Sequence, residues 1–225
     1  MHYLFAQPTV LDQVTQAPIT ALIVATTVLI SYLAFKDENL RNKLIFAPAH
    51  MHQQGMSEMY RFITAGFIHA NWLHLLFNAL VLWEFGRIVE MMYKANFESF
   101  GTTLYLALYF GGLILSSLYS YFKHKHNHYY YALGASGAVS GVLFAAIVFM
   151  PLLPLGLIFV PFLRVPAIAM GILYLLYSYY MGRKGTDNIG HDAHFWGAVW
   201  GFAFTLLCGG SDLFQLFIAQ ISGNF

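Results

Sequence analysis

The sequence predicts an all-α membrane protein: a single domain, residues 1–225, of six membrane-spanning helices with a long, partly embedded first loop. Three observations predict it. Of the 225 residues, 59% are hydrophobic and 9% are charged, whereas soluble domains carry about 25% charged residues. Mean hydropathy is +0.61. Apolar runs close to the length needed to cross a bilayer, about 20 residues, recur along the whole chain. The formal net charge of +1 argues against a nucleic-acid partner. The one cysteine, Cys208, stands in an apolar run, so no disulfide framework exists and a buried, inert thiol is expected. Residues 1–16 have no basic stretch ahead of an apolar core, so no cleaved leader is expected.

The first span is 18–35. Pro18 suits a first helical position, and the run stops at Lys36-Asp37-Glu38. A mixed connection, 36–73, follows, with charges, aromatics and methionines that suggest short interfacial helices. Connections longer than about 12–15 residues are often functional. The second span is 74–93 and is polar for a membrane helix, with Asn78, Glu84, Arg87 and Glu90. The third, 101–122, is aromatic at both ends, as interface anchoring predicts. A basic, histidine-bearing loop, 123–128, precedes the fourth span, 136–150. That span is short: about 15 residues rise about 22 Å, so Ser136 is expected below the membrane surface, at the floor of a water-filled dip. Pro151, Pro154, Pro161 and Pro166 punctuate the next connection, whose apolar part, 155–163, is expected in or near the interface. The fifth span is 167–181 and the sixth 193–208. The tail, 211–225, is expected to be loosely ordered or to lie in the interface.

Polar side chains inside apolar segments are functional suspects, and three clusters qualify. Ser136 lies among Gly134, Gly137 and Gly141 at the start of the fourth span. Alone, it reads most simply as a small residue easing helix contact. His194 opens the sixth span. Ala193, Gly197 and Gly201 recur there at i, i+4 and i+8, and Gly137, Gly141 and Ala145 repeat the stripe on the fourth span. Two such stripes suggest close contact between these helices, which would bring Ser136 within hydrogen-bond reach of His194. A neutral imidazole there can act as general base toward the hydroxyl. The third cluster is His69, His74 and Asn78. His74 and Asn78 share a helix face and both can donate hydrogen bonds. Aimed at a developing oxyanion, one such donor contributes about 10²–10³ in rate; the plainer reading is a polar contact between helices two and four. His69 reads as structural, bonded to loop backbone.

Together these stretches resemble the rhomboid family of intramembrane serine proteases. The family pattern is His-x(4)-His-x(3)-Asn on the second helix, Gly-x-Ser-Gly on the fourth and Ala-His-x-x-Gly-x-x-x-Gly on the sixth. Here these stand as His69, His74, Asn78; Gly134, Ser136, Gly137; and Ala193, His194, Gly197, Gly201. Tyr60-Arg61 resembles the family's aromatic–arginine pair of the first loop, and Gly86 and Glu90 match a glycine and a glutamate of its second helix. The resemblance implies a rhomboid-like bundle that hydrolyses peptide bonds in or beside the transmembrane segments of protein substrates in the lipid bilayer. It implies Ser136 as nucleophile and His194 as base, with no aspartate. It implies an oxyanion hole of His74, Asn78 and the Ser136 backbone N–H. No cofactor and no metal are implied. The place implied is a cell membrane, a bacterial inner membrane, with the N-terminus in the cytosol and the site opening to the extracytoplasmic side. Substrate identity and oligomeric state are not given by the resemblance.

Two features depart from that pattern. The family commonly has an aromatic residue four positions after the nucleophile, stacked on the histidine; here that position is Ser140. Another ring, or a hydrogen bond from Ser140 itself, must then hold His194. Charge counting gives the second departure. Outer loops would hold Lys36, Arg41, Lys43, Arg61, Lys123, Lys125, Arg183 and Lys184, and the inner side chiefly Arg87, Lys94 and Arg164, the reverse of the positive-inside rule. Asp192 is not expected to complete a triad, because residues two apart do not share a helix face. A pseudoprotease that binds transmembrane helices is the alternative, with intact Ser136 and His194 against it. A metal protein is a third reading, resting on His124, His126 and His128, for which a hydrated loop is the plainer account.

Overall fold

The computed structural model describes residues 9–157, 160–185 and 189–223. Residues 1–8 of the segment read for a leader, 158–159 of the apolar connection, 186–188 of the last loop and 224–225 of the tail lie outside the described residues. The chain is mostly helical. Helix α1 (Val10–Gln16) starts on a capping box in which Thr9 and Asp12 satisfy each other's backbone amides. Ala17 separates it from α2 (Pro18–Lys36), which begins with Pro18 in its first turn.

The first loop is built of short helices: α3 (Glu38–Leu44), α4 (Pro48–Gln54) and α5 (Arg61–Thr64), with single 3₁₀ turns around α5. Asp37 caps α3 by accepting from the amides of Asn39 and Leu40. Arg61 is buried and holds the loop to itself, donating to Asn42 O and Ile45 O at 2.8 Å and to Glu58 Oε2 at 2.5 Å. The Arg61 bond keeps the Glu58 carboxyl below its ordinary range. Tyr60 donates to Lys43 O. Phe46, Met51 and Ala65 form a small core of their own, with Tyr121 and Tyr130 against it. A bridge between Phe46 and Ala132 fastens this loop to the segment before α8.

Helix α6 (Trp72–Phe97) is capped by Asn71, and α7 (Gly101–His124) follows after one 3₁₀ turn. The two cannot be one crossing: 53 residues of continuous helix would rise about 80 Å. The chain reverses at residues 98–100, where a Cβ on Gly101 would lie 2.5 Å from Tyr93 O. Helix α8 (Ser136–Phe149) is apolar on all sides and almost wholly buried, the pattern of a central helix. It is surrounded by α6, α7 and α10, and touches α9 along one edge. Helix α9 (Ala167–Lys184) ends on Gly185 in the left-handed region. Helix α10 (His191–Ser222) kinks at Gly210 (φ 59°, ψ −150°).

The mostly helical fold agrees with the expected class, with one addition in a connection: after α8 the chain forms an antiparallel hairpin of β1 (Pro154–Leu157) and β2 (Val160–Pro166), with a bulge between Gly156 and Leu157. Prolines at 154, 161 and 166 deny this apolar stretch a helix, and strand pairing satisfies its backbone instead. One expectation is corrected: of the two readings of the tail, loose order is replaced by helix, since α10 runs on past the kink to Ser222. Leu213 and Phe217, one turn apart, are buried, Phe217 edge-on to Phe202. Gln220 donates to Phe149 O at 3.2 Å.

By length and composition, Pro18–Lys36, the run Trp72–His124 and His191–Ser222 are apolar enough to cross a membrane, and Ser136–Phe149 is apolar but shorter. Inside, polar groups pair across helices. Trp200 donates to Leu108 O at 2.9 Å, Tyr93 meets Thr205 at 2.8 Å, and Thr205 donates to Gly201 O at 2.7 Å. Such bonds contribute about 0.6 kcal/mol each in a membrane protein. Glu90 is fully buried and takes the amides of Ile19 and Thr20 and the Thr20 hydroxyl. It thus caps α2, whose own N-cap, Ala17, has no side chain to do so. Lys94 pairs with Glu90 at 2.6 Å. Gly86 leaves room for this junction: a Cβ there would lie 2.9 Å from both Thr20 Cγ2 and the Tyr105 hydroxyl.

Candidate active site

Ser136 is the first residue of α8, and His194 lies in the first turn of α10. The helix interface brings these two starts together. A Cβ on Gly197 would collide with Gly137 O, and one on Gly201 with Gly141 O. Backbone therefore rests on backbone at two successive turns, which only glycine permits. With that register set, His194 Nε2 lies 2.8 Å from Ser136 Oγ. No side chain caps α8; its N-cap is Ala135. Among the described residues no carboxylate or hydroxyl is bonded to the first-turn amides, which carry the positive end of the helix dipole.

The turn before Ser136 is held from two sides. Gly134 has φ +112°, a conformation that disfavours any side chain, and donates to Ala65 O at 2.8 Å. A Cβ there would sit 2.6 Å from His74 Cε1 and 2.9 Å from His74 Nε2, so the His74 ring lies directly against this turn. Asn71 Oδ1 accepts from the His74 amide at 2.9 Å and starts α6 there. One turn on, the buried Asn78 donates from Nδ2 to His74 O at 2.9 Å.

His69 fixes the same turn. The Ala135 amide donates to its Nε2 at 3.4 Å, so Nδ1 carries the proton and donates to Ser31 Oγ at 2.9 Å. Ser31 in turn donates to Phe67 O at 2.9 Å. His69 therefore joins α2, the first loop and the approach to Ser136 in one chain of bonds. Its pKa is lowered to about 3, by burial first and by the neighbouring His74 second, so it stays neutral.

Ser140 donates to Ser136 O at 2.8 Å, and its oxygen lies 2.6 Å from the Tyr174 hydroxyl. Because the Ser140 proton goes to the carbonyl, Tyr174 is the donor in that pair. The Tyr174 ring lies beside His194, centroids 6.1 Å apart and planes 21° apart. Of the two supports left open for His194, the structure shows a ring alongside it, and Ser140 holds that ring. His191 contacts His194 edge-on at 5.9 Å. Asp192 is bonded to Lys123 Nζ at 2.7 Å, which ties the start of α10 to the end of α7.

The histidine loop does not gather. His124 stacks on Tyr130, His126 meets His52, and His128 faces Gln53. Among the described residues no three His, Cys, Asp or Glu side chains group to hold a metal. Sequence reasoning missed Tyr174, one of 15 tyrosines in the chain, and missed what Glu90 does. The signal for Glu90 was present, as an acid in the middle of an apolar run; Tyr174 had none.

Helices long and apolar enough for a bilayer, wrapped around a buried α8 with a hydroxyl–imidazole pair at its start, are those of a multi-pass membrane protein. A family profile for the rhomboid domain matches residues 56–211, and the chain belongs to the rhomboid family. It is 31% identical over 151 residues to "Putative rhomboid protease YdcA" of Bacillus subtilis (strain 168), covering 67% of this chain and 68% of that protein. It is 40% identical over 83 residues to "Rhomboid-like protein 11, chloroplastic" of Arabidopsis thaliana, covering 37% of this chain and 26% of that protein.

Proposed function

We propose that this chain is an intramembrane serine endopeptidase that cuts peptide bonds in or beside the transmembrane segments of other membrane proteins. The observation that carries the proposal is the 2.8 Å contact between Ser136 Oγ and His194 Nε2 at the joined starts of α8 and α10. With His194 neutral and its proton on Nδ1, the hydroxyl donates to Nε2. As Ser136 attacks the scissile carbonyl, that proton passes to His194, which returns it to the leaving amine. The tetrahedral oxyanion would form beside the uncapped start of α8, where the Ser136 N–H is available and the dipole favours negative charge. His74, whose ring borders Gly134, and Asn78 are the proposed side-chain donors. For Asn78 this means turning its amide away from His74 O. Gly134, Gly137, Gly197, Gly201, His69 and Ser140 support the site rather than react.

We read residues 1–225 as one rhomboid-like domain in which α2, α6, α7, α8, α9 and α10 each cross the membrane, in a bacterial inner membrane. Fourteen residues of α8 rise about 21 Å, short of the roughly 30 Å hydrocarbon core, which supports a position for Ser136 below the surface within reach of water. We place the opening on the extracytoplasmic side. The test is cleavage of a single-span substrate, with helix-weakening residues near its outer end, in proteoliposomes. The wild type is expected to cut it, and Ser136→Ala and His194→Ala are expected not to. A folded wild type that binds the substrate without cutting would instead support the pseudoprotease.

A further inference from the structure

We infer that Tyr174 is the positioning residue of His194, delivered from α9 in place of an aromatic on α8. This rests on the dyad reading above. Four contacts close a ring around the dyad. Ser136 Oγ meets His194 Nε2, and the His194 ring lies along the Tyr174 ring. The Tyr174 hydroxyl donates to Ser140, and Ser140 donates to the carbonyl of Ser136. The Tyr174 ring is thus pinned at its tip by the residue one turn after the nucleophile, and flanked by Phe144 at 6.1 Å. A tyrosine has two side-chain torsions; a bond at the tip and rings on either side fix both. The ring then limits rotation of the imidazole about its own axis.

Helix α9 is otherwise lightly held, with only Ala167, Gly171 and Ser178 buried among its described side chains. Gly171, three residues before Tyr174, lets it approach: a Cβ there would lie 2.8 Å from Ile147 Cδ1 and 3.3 Å from Phe144 Cζ. The restraint on His194 therefore depends on where α9 sits, which an aromatic carried by the buried α8 would not require.

The experiment is the rate of labelling by a fluorophosphonate in detergent-solubilised full-length protein, with thermal unfolding measured for each variant. Ser136→Ala serves as the blank. Tyr174→Leu is expected to lower the rate at saturating probe about 10²-fold, the cost of an ångström-scale misplacement, with little change in the half-saturating concentration. Tyr174→Phe keeps the ring, loses one hydrogen bond and is expected to lose about fivefold. Tyr180→Leu, an exposed ring on the same helix, is expected to label like the wild type. Ser140→Ala combined with Tyr174→Phe is expected to be no slower than the slower single variant, because Ser140→Ala already removes the acceptor of the bond that Tyr174→Phe breaks. Unlabelled wild type would overturn the dyad reading, and this inference with it. Labelled wild type with an equally fast Tyr174→Leu would overturn this inference alone. Should Tyr174→Leu fail to fold, the Tyr174→Phe and Ser140→Ala pair decides: additive losses overturn the positioning circuit.

Discussion

Two helix starts inside this molecule are treated in opposite ways. Helix α2 begins against the fully buried Glu90, whose carboxylate takes the amides of Ile19 and Thr20. Helix α8 begins with no side-chain cap and with Ser136 and His194 in contact beside it. Both ends present the same unpaired amides and the same dipole. At α2 a protein anion satisfies them permanently, and the return is a fixed junction between α2 and α6. At α8, in the proposed mechanism, they are left for an anion that exists only during reaction. The difference teaches that an uncapped, glycine-flanked helix start inside a membrane protein is a place to look for chemistry, whereas a capped one is architecture.

Substitutions can break that contrast, and the largest effect is expected at the uncapped end. Ser136→Ala or His194→Ala should lower proteolysis by about 10⁴-fold or more, each nearly as damaging as both together, with thermal unfolding unchanged. Asn78→Ala should lower the cleavage rate about 10²–10³-fold and leave the protein folded; a stability loss with full activity would return Asn78 to a packing role. Glu90→Ala should do the reverse. It strips α2 of its cap and should cost about 2 kcal/mol of stability, read by unfolding in detergent, while the surviving folded fraction labels at the wild-type rate.

The smallest effect expected is one of pH. Burial, and secondarily His74, lowers the His69 pKa to about 3 from an ordinary 6.5. The unfolded state therefore takes up a proton that the folded state refuses. Stability is present above pH 6.5 and is lost as pH falls from there toward 3, by about 1 kcal/mol between pH 7 and pH 5.5. His69→Gln should flatten that part of the pH–stability profile. An unchanged slope would place the titration elsewhere.

Legibility in the sequence followed the range of the interaction. The long helices could be read because each is a local pattern, and the start of α8 at Ser136 fell where the glycines and the following apolar run put it. The glycine stripes could be read as a contact because i, i+4 spacing fixes a helix face, and Gly137 and Gly141 do meet Gly197 and Gly201. The hairpin could not, because its apolar residues suit an interfacial segment as well as strands until the backbone partners of its prolines are known. Of the two readings of the tail, the loosely ordered one fell for a related reason: Leu213 and Phe217 have a helical spacing, but what they pack on lies far away in sequence. Tyr174 was the hardest case. Its link to Ser140 spans 34 residues, and nothing local separates it from its neighbours Tyr177, Tyr179 and Tyr180. The departure at Ser140 was visible; what fills its place was not.

The most direct test of the central claim, that the start of α8 is built to react, is to treat the full-length protein with a fluorophosphonate and map the adduct by mass spectrometry. The account predicts one adduct, on Ser136, lost in His194→Ala and retained in Glu90→Ala. An adduct on another serine, or on Ser136 at an undiminished rate without His194, would contradict it.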